Sequence, residues 1–516
     1  MEPLERYHSS VVQDNRMTGG GDMTSELVIC VDMGTTRIKG GALNADGATV
    51  SLASAPVPPL DDWRGFVAFD AAAYLGLVLD VLREVAGAVQ DPQRVRAIAL
   101  TSQRATIVPV RADGTPAGPG LSWQDTSGAP DLDTMLSDLG ADRFTDITCL
   151  PPSALWSVAK ILRLRKQAPE VYKSSACLPL LHDFVLHALG AEGFVTDPSN
   201  ASVTGLLDLR HRSWSGEILA AAGLDASMLP VIRPPGSVCG ALGADASLTT
   251  GLPEGTPLVV GGGDQQCAAL GIGAFEPGEA ALCLGTAAVL SCPVEAPMPE
   301  SAGKFFCTAH ATEQGCMLEG IHNAFAASLN WAGGSMGVRT SRARTIALGR
   351  SPAGANGVRF LPFLSGIGSP DYDSGAAGTF LGLRPTHSSS DLIRSVYEGV
   401  LLETRRLIVA AGELSAVRRL LIGGALSRGV VGQLLADVLG FDIEVTSTAE
   451  ISLTGAAALA WTGSGRFSCV SDAARHLAGR RYRRLKPRDP HLYDEIYGRY
   501  VSDVRGVRTL YTGGGK

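Results

Sequence analysis

Two stretches with one pattern head the two halves of the chain. Residues 27–43 read as an apolar strand, a Gly34-Thr35-Thr36 turn and a second apolar strand. Residues 280–290 repeat the pattern around Gly285-Thr286. A repeated unit of this kind, although short, is the mark of an internal duplication. Two Gly-Thr pairs among 62 glycines could also arise by coincidence. With residues 49–53 as a third strand, the first unit is a meander rather than a strand feeding a helix. That disfavours a dinucleotide-binding opening and points to an α/β chain of two domains.

A second constraint lies at residues 257–270. An apolar run, 257–260, reads as a buried strand, followed by Gly261-Gly262-Gly263 and then Asp264-Gln265-Gln266. Glycines at a strand end permit close backbone approach. A lone Asp after such a turn can be an Asx turn and nothing more. The other reading pairs it with Asp32, which ends the first strand. The two carboxylates would then face one cleft, where Asp264 accepts a proton from a hydroxyl while the Gly34–Thr36 turn holds a nucleotide phosphate.

Composition excludes several classes. At 516 residues there is room for two large domains. The net charge of −7 gives no support to nucleic-acid binding. Ten scattered cysteines, without a C-x-x-C pair, argue against structural zinc and for reduced thiols in the cytoplasm. No apolar run reaches membrane-spanning length. Residues 1–25 are polar and Gly-rich, read as a disordered tail rather than a secretory signal, with Met17 or Met23 as alternative starts. The end, 512–516, reads as frayed.

Further along, Asp70 caps a helix reaching about Val89, with an apolar face at Leu75, Val78, Leu79, Leu82 and Val85. Residues 95–100 form a strand ending at Gln103-Arg104. Residues 197–205 read as a loop, 318–331 as a helix, and Asp391 as the cap of a helix over 392–410. The strand 418–422 ends in Gly423-Gly424-Ala425, and 454–461 is a small-residue helix that must pack closely. Residues 480–500 read as a solvated surface helix. His182 beside Asp183 reads as a helix-start hydrogen bond. The domain boundaries follow: tail 1–25, first domain 26–274, second domain 275–480, and a C-terminal helix and tail over 481–516.

Glycine turns after buried strands at 34, 261–263, 285 and 423–424 suit a cleft lined by backbone N–H groups, a cradle for phosphates. Thr35, Thr36 and Thr286 add hydroxyls. Neither the P-loop nor the dinucleotide fingerprint is placed to work. Arg104 either forks onto a pair of polyol hydroxyls or makes a surface ion pair. Trp123 is either core or a flat wall for a sugar.

The chain resembles the FGGY carbohydrate kinases from about residue 27 to 467. The most specific match is Gly378-Thr379-Phe380-Leu381-Gly382-Leu383, followed by Asp391-Leu392-x-x-Ser395-Val396-Tyr397-Glu398. Around 155–167 Ser157 and Lys160 fit the pattern, whereas Leu155 and Arg163 depart from it. The resemblance implies two actin/hexokinase-like (ribonuclease H-like) domains with a nucleotide cleft between them. It implies Asp264 as catalytic base and Asp32 as the holder of Mg2+ through water. ATP would meet Gly34, Thr35, Thr36, Lys39, Gly285, Thr286, Asn330, Gly423, Gly424 and Ala425. Gln103, Arg104, Trp123, Asp125 and Gln265 would line the sugar pocket.

The expected activity is ATP-dependent transfer of the γ-phosphate to a terminal hydroxyl of a polyol or ketose. Ala105 stands where glycerol kinases have Glu, and Leu155 where they have Tyr. The loss of both polar groups points to a substrate larger than glycerol: erythritol-like, or a pentulose or heptulose. Expected partners are that small molecule alone, with neither nucleic acid nor membrane; a homodimer is compatible with it. The alternative is a non-catalytic or ATP-hydrolysing actin-like protein that senses sugar or moves a partner.

Overall fold

The computed structural model describes residues 25–338, 340–479 and 482–512. The tails expected at 1–25 and 512–516 lie, but for Ser25 and Thr512, outside them.

Strand β1 (Leu27–Met33) is apolar on both faces, as a central strand must be. Leu27, Ile29, Val31 and Met33 pack to one side, Val28 and Cys30 to the other. It pairs antiparallel with β2 (Arg37–Asn44), which pairs antiparallel with β3 (Thr49–Pro56). On its other edge β1 pairs parallel with β4 (Val95–Ser102). The antiparallel strand β5 (Val238–Ala241) and the parallel β6 (Pro257–Gly263) complete the order β5-β6-β4-β1-β2-β3. Helix α1 (Ala71–Gly87) covers the outer face with Tyr74, Val78, Val81, Leu82 and Val85, and Asp70 caps it by accepting from Ala73 N–H.

After β6 comes α2 (Asp264–Ile272), and then a second sheet. Its strands are β7 (Glu279–Leu284), β8 (Ala288–Val294), β9 (Phe306–Ala309), β10 (Cys316–His322), β11 (Arg419–Gly423), β12 (Ile443–Thr446) and β13 (Tyr482–Leu485). The order is β9-β10-β8-β7-β11-β12-β13. The run β10-β8-β7-β11-β12 repeats β3-β2-β1-β4-β6: three antiparallel strands, then two parallel ones. The duplication signalled by two short heads therefore extends through five strands of each sheet. Helices α3 (Phe325–Ser335) and α4 (Ser389–Leu414) pack on the outer face of the second sheet.

The halves exchange helices. Ala268, Ala269 and Ile272 of α2 pack against Ala281, Met317 and Leu421 of the second sheet. Helix α5 (Ile451–Gly463), from the second half, covers Val28, Cys30, Ala97, Ala99 and Val259 of the first sheet with Leu453, Leu459 and Trp461. Burial of Leu453 and Leu459 contributes roughly 1.5–3 kcal/mol each. The small residues of α5 are what let it approach α2 so closely.

Four sequence expectations change. Residues 318–331 are not one helix: β10 occupies Cys316–His322, and α3 starts only at Phe325, because the strand is needed between β8 and β9. Ser388, not Asp391, caps α4; Asp391 is the third helical residue and closes a capping box by accepting from Ser388 N–H at 2.8 Å. Residues 197–205 contain a short helix, Pro198–Ser202, capped by the Asp197 carboxylate. The stretch 480–500 is not a solvated helix. It contributes β13 to the second sheet, past the expected boundary at 480, and then α6 (Asp494–Thr512), with Tyr493 and Tyr500 buried.

Candidate active site

Three parallel strands of the first sheet end at one level. Met33 of β1 stands beside Ser102 of β4, which stands beside Gly263 of β6. The residues that follow these ends therefore share one crevice: Gly34–Thr36, Gln103-Arg104, and Asp264-Gln265. Carboxyl ends of parallel strands are where open α/β sheets bind ligands.

Asp264 is the first residue of α2. Its Oδ1 accepts from Gln265 N–H at 2.8 Å, while Oδ2 has only a long contact, 3.4 Å, from the Gln265 amide. About a third (32%) of the side-chain surface is open, and the rest is packed against protein. That crowding raises its pKa above the usual carboxylate value, and the Arg104 guanidinium, with Nε 3.5 Å from Oδ1, opposes the rise. Asp32 is pushed up to about 7, first by burial and then by the charges of Asp264 and Glu450; Lys39 opposes the rise. The Asp264 charge thus reaches Asp32 across the crevice.

The Thr35 hydroxyl donates to Gln103 Oε1 at 2.7 Å and accepts from the Trp123 indole N–H at 2.9 Å. It ties the glycine turn to Gln103 and Trp123. Trp123 is 37% exposed, so it is not a core residue. Thr36 is exposed at the turn.

Three site residues are placed differently from expectation. The terminal nitrogens of Arg104 bond Glu319 at 2.9 and 2.6 Å, so its fork is filled by protein rather than spread toward a diol. Asp125 is fully buried and does not face the pocket: Oδ2 accepts from Val67 N–H at 2.6 Å, and Oδ1 from the backbone and hydroxyl of Ser127. Such a carboxylate organises a turn. Lys39 bonds Glu450 Oε2 at 2.8 Å, linking β2 to the start of α5.

The second half supplies a matching edge. Cys283 of β7 stands beside Gly423 of β11, so Gly285-Thr286 and Gly424-Ala425 follow adjacent strand ends. Gly424 has a positive φ of 96°, and a Cβ there would lie 2.4 Å from the Leu284 carbonyl, so only glycine fits. Thr286 is exposed, and its carbonyl accepts from Ala326 N–H at the start of α3; Asn330 lies exposed on the same helix.

Sequence reasoning missed Glu319, Gln266, Thr308 and Glu450. The available signal was Glu319 itself, a carboxylate inside the apolar run Met317-Leu318-Glu319-Gly320-Ile321. A charge at such a position needs a partner.

Profiles of a single family match both halves. The N-terminal domain of the FGGY family of carbohydrate kinases matches residues 27–271, and its C-terminal domain matches 280–463. The chain belongs to the FGGY family of carbohydrate kinases. As an FGGY kinase it is a phosphotransferase. It is 29% identical to glycerol kinase from Gloeobacter violaceus, over 86% of this chain and 90% of that protein. It is 26% identical to xylulose kinase from Bacillus subtilis, over 87% and 90%. In fold this FGGY kinase matches xylulose kinase from Lactobacillus acidophilus with a TM-score of 0.86 at 21% identity, covering 95% of this chain and 100% of that one. It matches Plasmodium falciparum glycerol kinase with ADP at 0.84 and 19%, covering 94% and 98%. The two-domain actin/hexokinase-like architecture is thereby established. No helix among the described residues is long and apolar enough to cross a membrane.

Proposed function

We propose that this FGGY kinase transfers the γ-phosphate of ATP to a terminal hydroxyl of a polyol or ketose larger than glycerol, with Asp264 as the base. The observation that carries this reading is the position of Asp264. It stands at the shared strand-end edge with Oδ2 weakly engaged, beside the Thr35–Gln103–Trp123 chain. A carboxylate whose pKa is raised by crowding is a better proton acceptor than a free one.

Phosphoryl transfer asks mainly for alignment and charge neutralisation. The substrate hydroxyl would lie against Trp123 and Gln103, with Asp264 Oδ2 taking its proton as the oxygen attacks phosphorus in line. The Gly34–Thr36 turn and the exposed Gly285–Thr286 turn would hold the phosphates, and Gly424 and Asn330 would border the base of the nucleotide. Among the described residues no group of three or more acidic, His or Cys side chains could hold a metal. Asp32, a crevice carboxylate under the repulsive charge of Asp264, fits a magnesium ion that would take its direct ligands from phosphate and water. Asp32 would hold that ion through water, and the ion supplies neutralisation of phosphate charge.

The size inference rests on Ala105 and Leu155. Ala105 is buried, and Leu155 is 37% exposed with no polar group to offer a short polyol. The test is a panel of glycerol, erythritol and D-xylulose assayed for ADP release, with Asp264→Asn in parallel. The expected result is a preference for the longer compounds and a kcat reduced on the order of 10²- to 10⁴-fold in the variant, with ATP binding retained. Near-normal turnover by Asp264→Asn removes the base assignment.

A further inference from the structure

Glu319 lies in the middle of β10 and is completely buried. An unpaired carboxylate there would be strongly destabilising. It is not unpaired. Arg104 Nη1 donates to Oε1 at 2.9 Å and Nη2 to Oε2 at 2.6 Å; the Thr308 hydroxyl and the Gln266 amide each donate to Oε1, at 2.6 and 2.9 Å. One side chain of the second sheet thus grips the end of β4 and the first turn of α2. Both of those belong to the first half and both flank Asp264.

The route of the arginine is prepared in the backbone. A Cβ on Gly263 would lie 2.4 Å from Arg104 Cδ, so glycine just before Asp264 leaves a corridor for the arginine stem. Arg104 runs through it to Glu319 and passes Asp264 with only its Nε, 3.5 Å from Oδ1. A guanidinium has five N–H donors in a rigid fork and prefers two parallel bonds to a carboxylate. With its fork filled by Glu319, it offers Asp264 a single sideways contact. Without Glu319, two carboxylates still act on the guanidinium, Asp264 and Asp197; the Asp197 oxygens are taken by Ser199 and Asn200, so the fork would turn to Asp264, and a two-pronged bond there would occupy the oxygens that must receive the substrate's proton.

We infer that Glu319 is a positioning residue for phosphoryl transfer, holding the Arg104 fork away from Asp264 and fixing the first turn of α2 through Gln266. This rests on the reading of Asp264 as the base. It also gives the second half, which carries part of the nucleotide edge, a rigid connection to the base on the first.

The experiment compares Glu319→Gln, Glu319→Asp and Asp264→Asn. It measures kcat and KM on the best compound of the panel, ATP affinity by titration calorimetry, and thermal melting. Glu319→Gln keeps the shape and removes the charge; kcat should fall about 100-fold, the effect of misplacing a reacting group by about 1 Å, with ATP affinity within about threefold. Glu319→Asp keeps the charge with a shorter reach and should recover at least about tenfold of that loss. A purely structural role predicts a lower melting temperature with unchanged kcat for the folded protein. That result, or a Glu319→Asp enzyme no faster than Glu319→Gln, overturns the inference. If Glu319→Gln does not fold, Glu319→Asp alone decides: it should be slower than wild type at unchanged ATP affinity, and a wild-type kcat overturns the inference. Slow Asp264→Asn with fast Glu319 variants sinks this inference and spares the base; fast Asp264→Asn sinks the base assignment itself.

Discussion

Gly271 and Gly455 meet where the two exchanged helices cross. A Cβ on Gly271 would lie 1.9 Å from the Ile451 carbonyl oxygen, and one on Gly455 would lie 1.8 Å from that of Cys267. Backbone touches backbone at both points, and this contact joins the element that begins with Asp264 to the element that begins beside Glu450.

Alanine normally stabilises a helix interior relative to glycine, by about 1 kcal/mol. At Gly455 the sign should reverse. The methyl must push α2 and α5 apart, an overpacking that costs about 1–3 kcal/mol or more. Gly76 in α1 has open space where an added methyl would go, with nothing within 4 Å, and serves as the control. Denaturant unfolding should show a lower midpoint for Gly455→Ala and an equal or higher one for Gly76→Ala. A stabilised Gly455→Ala would show that the helices do not cross this closely.

Thr35 separates two assignments of the first glycine turn. Thr35→Val removes its bonds to Gln103 and Trp123. At about 0.5–1.5 kcal/mol per bond, the KM for the polyol or ketose should rise roughly 5- to 100-fold, more than the KM for ATP. Thr36→Val, at the exposed position, should act mainly on ATP. Steady-state kinetics varying each substrate in turn would settle it, and the reverse pattern would restore Thr35 to the phosphates.

Asp32 links stability to pH. Its folded pKa, about 7, lies above its value of 3.8 outside the fold. The folded form therefore holds the proton more tightly, and the stability this contributes is complete below about pH 4 and lost as pH rises through about 7. Asparagine cannot ionise. In metal-free protein the unfolding free energy of Asp32→Asn should gain on that of wild type between pH 5 and 8, by about 1–2 kcal/mol after allowance for solvent screening. Magnesium with nucleotide should stabilise wild type and do little for the variant. A difference independent of pH would mean that the carboxylate is already compensated.

Pocket size can be tested by restoring the polar groups. Ala105→Glu with Leu155→Tyr should raise kcat/KM for glycerol relative to longer compounds by about tenfold or more, the effect of one or two added hydrogen bonds. Ala105 is buried, so the single Ala105→Glu variant should also lose some stability. No change in the glycerol ratio across the panel would locate the size determinant elsewhere.

Much of the frame was legible because it is written in local chemistry. The near-continuous apolar run of β1, the glycines ending β6 and β11, and the Asp70 cap each specify their element from neighbours in sequence. The failures are of another kind. Residues 316–322 carry a strand's pairing obligations, but those lie with β8 and β9, and nothing nearby in sequence reveals them. The same holds for Arg104: its residue type announced a fork, and only the three-dimensional arrangement showed that Glu319 fills it. Asp125 misled for the opposite reason, since its partners Val67 and Ser127 satisfy it inside a turn that resembles an open pocket edge.

The helix exchange has a consequence for biogenesis. The first sheet is complete in its strands by Gly263, but the helix that closes its inner face, Ile451–Gly463, leaves the ribosome near the end of synthesis. Through most of translation Val28, Cys30, Ala97 and Ala99 have only Cys267 and Leu270 of α2 as helical cover from their own half. A chain stopped after residue 275 would leave the face that Leu453, Leu459 and Trp461 cover open to solvent.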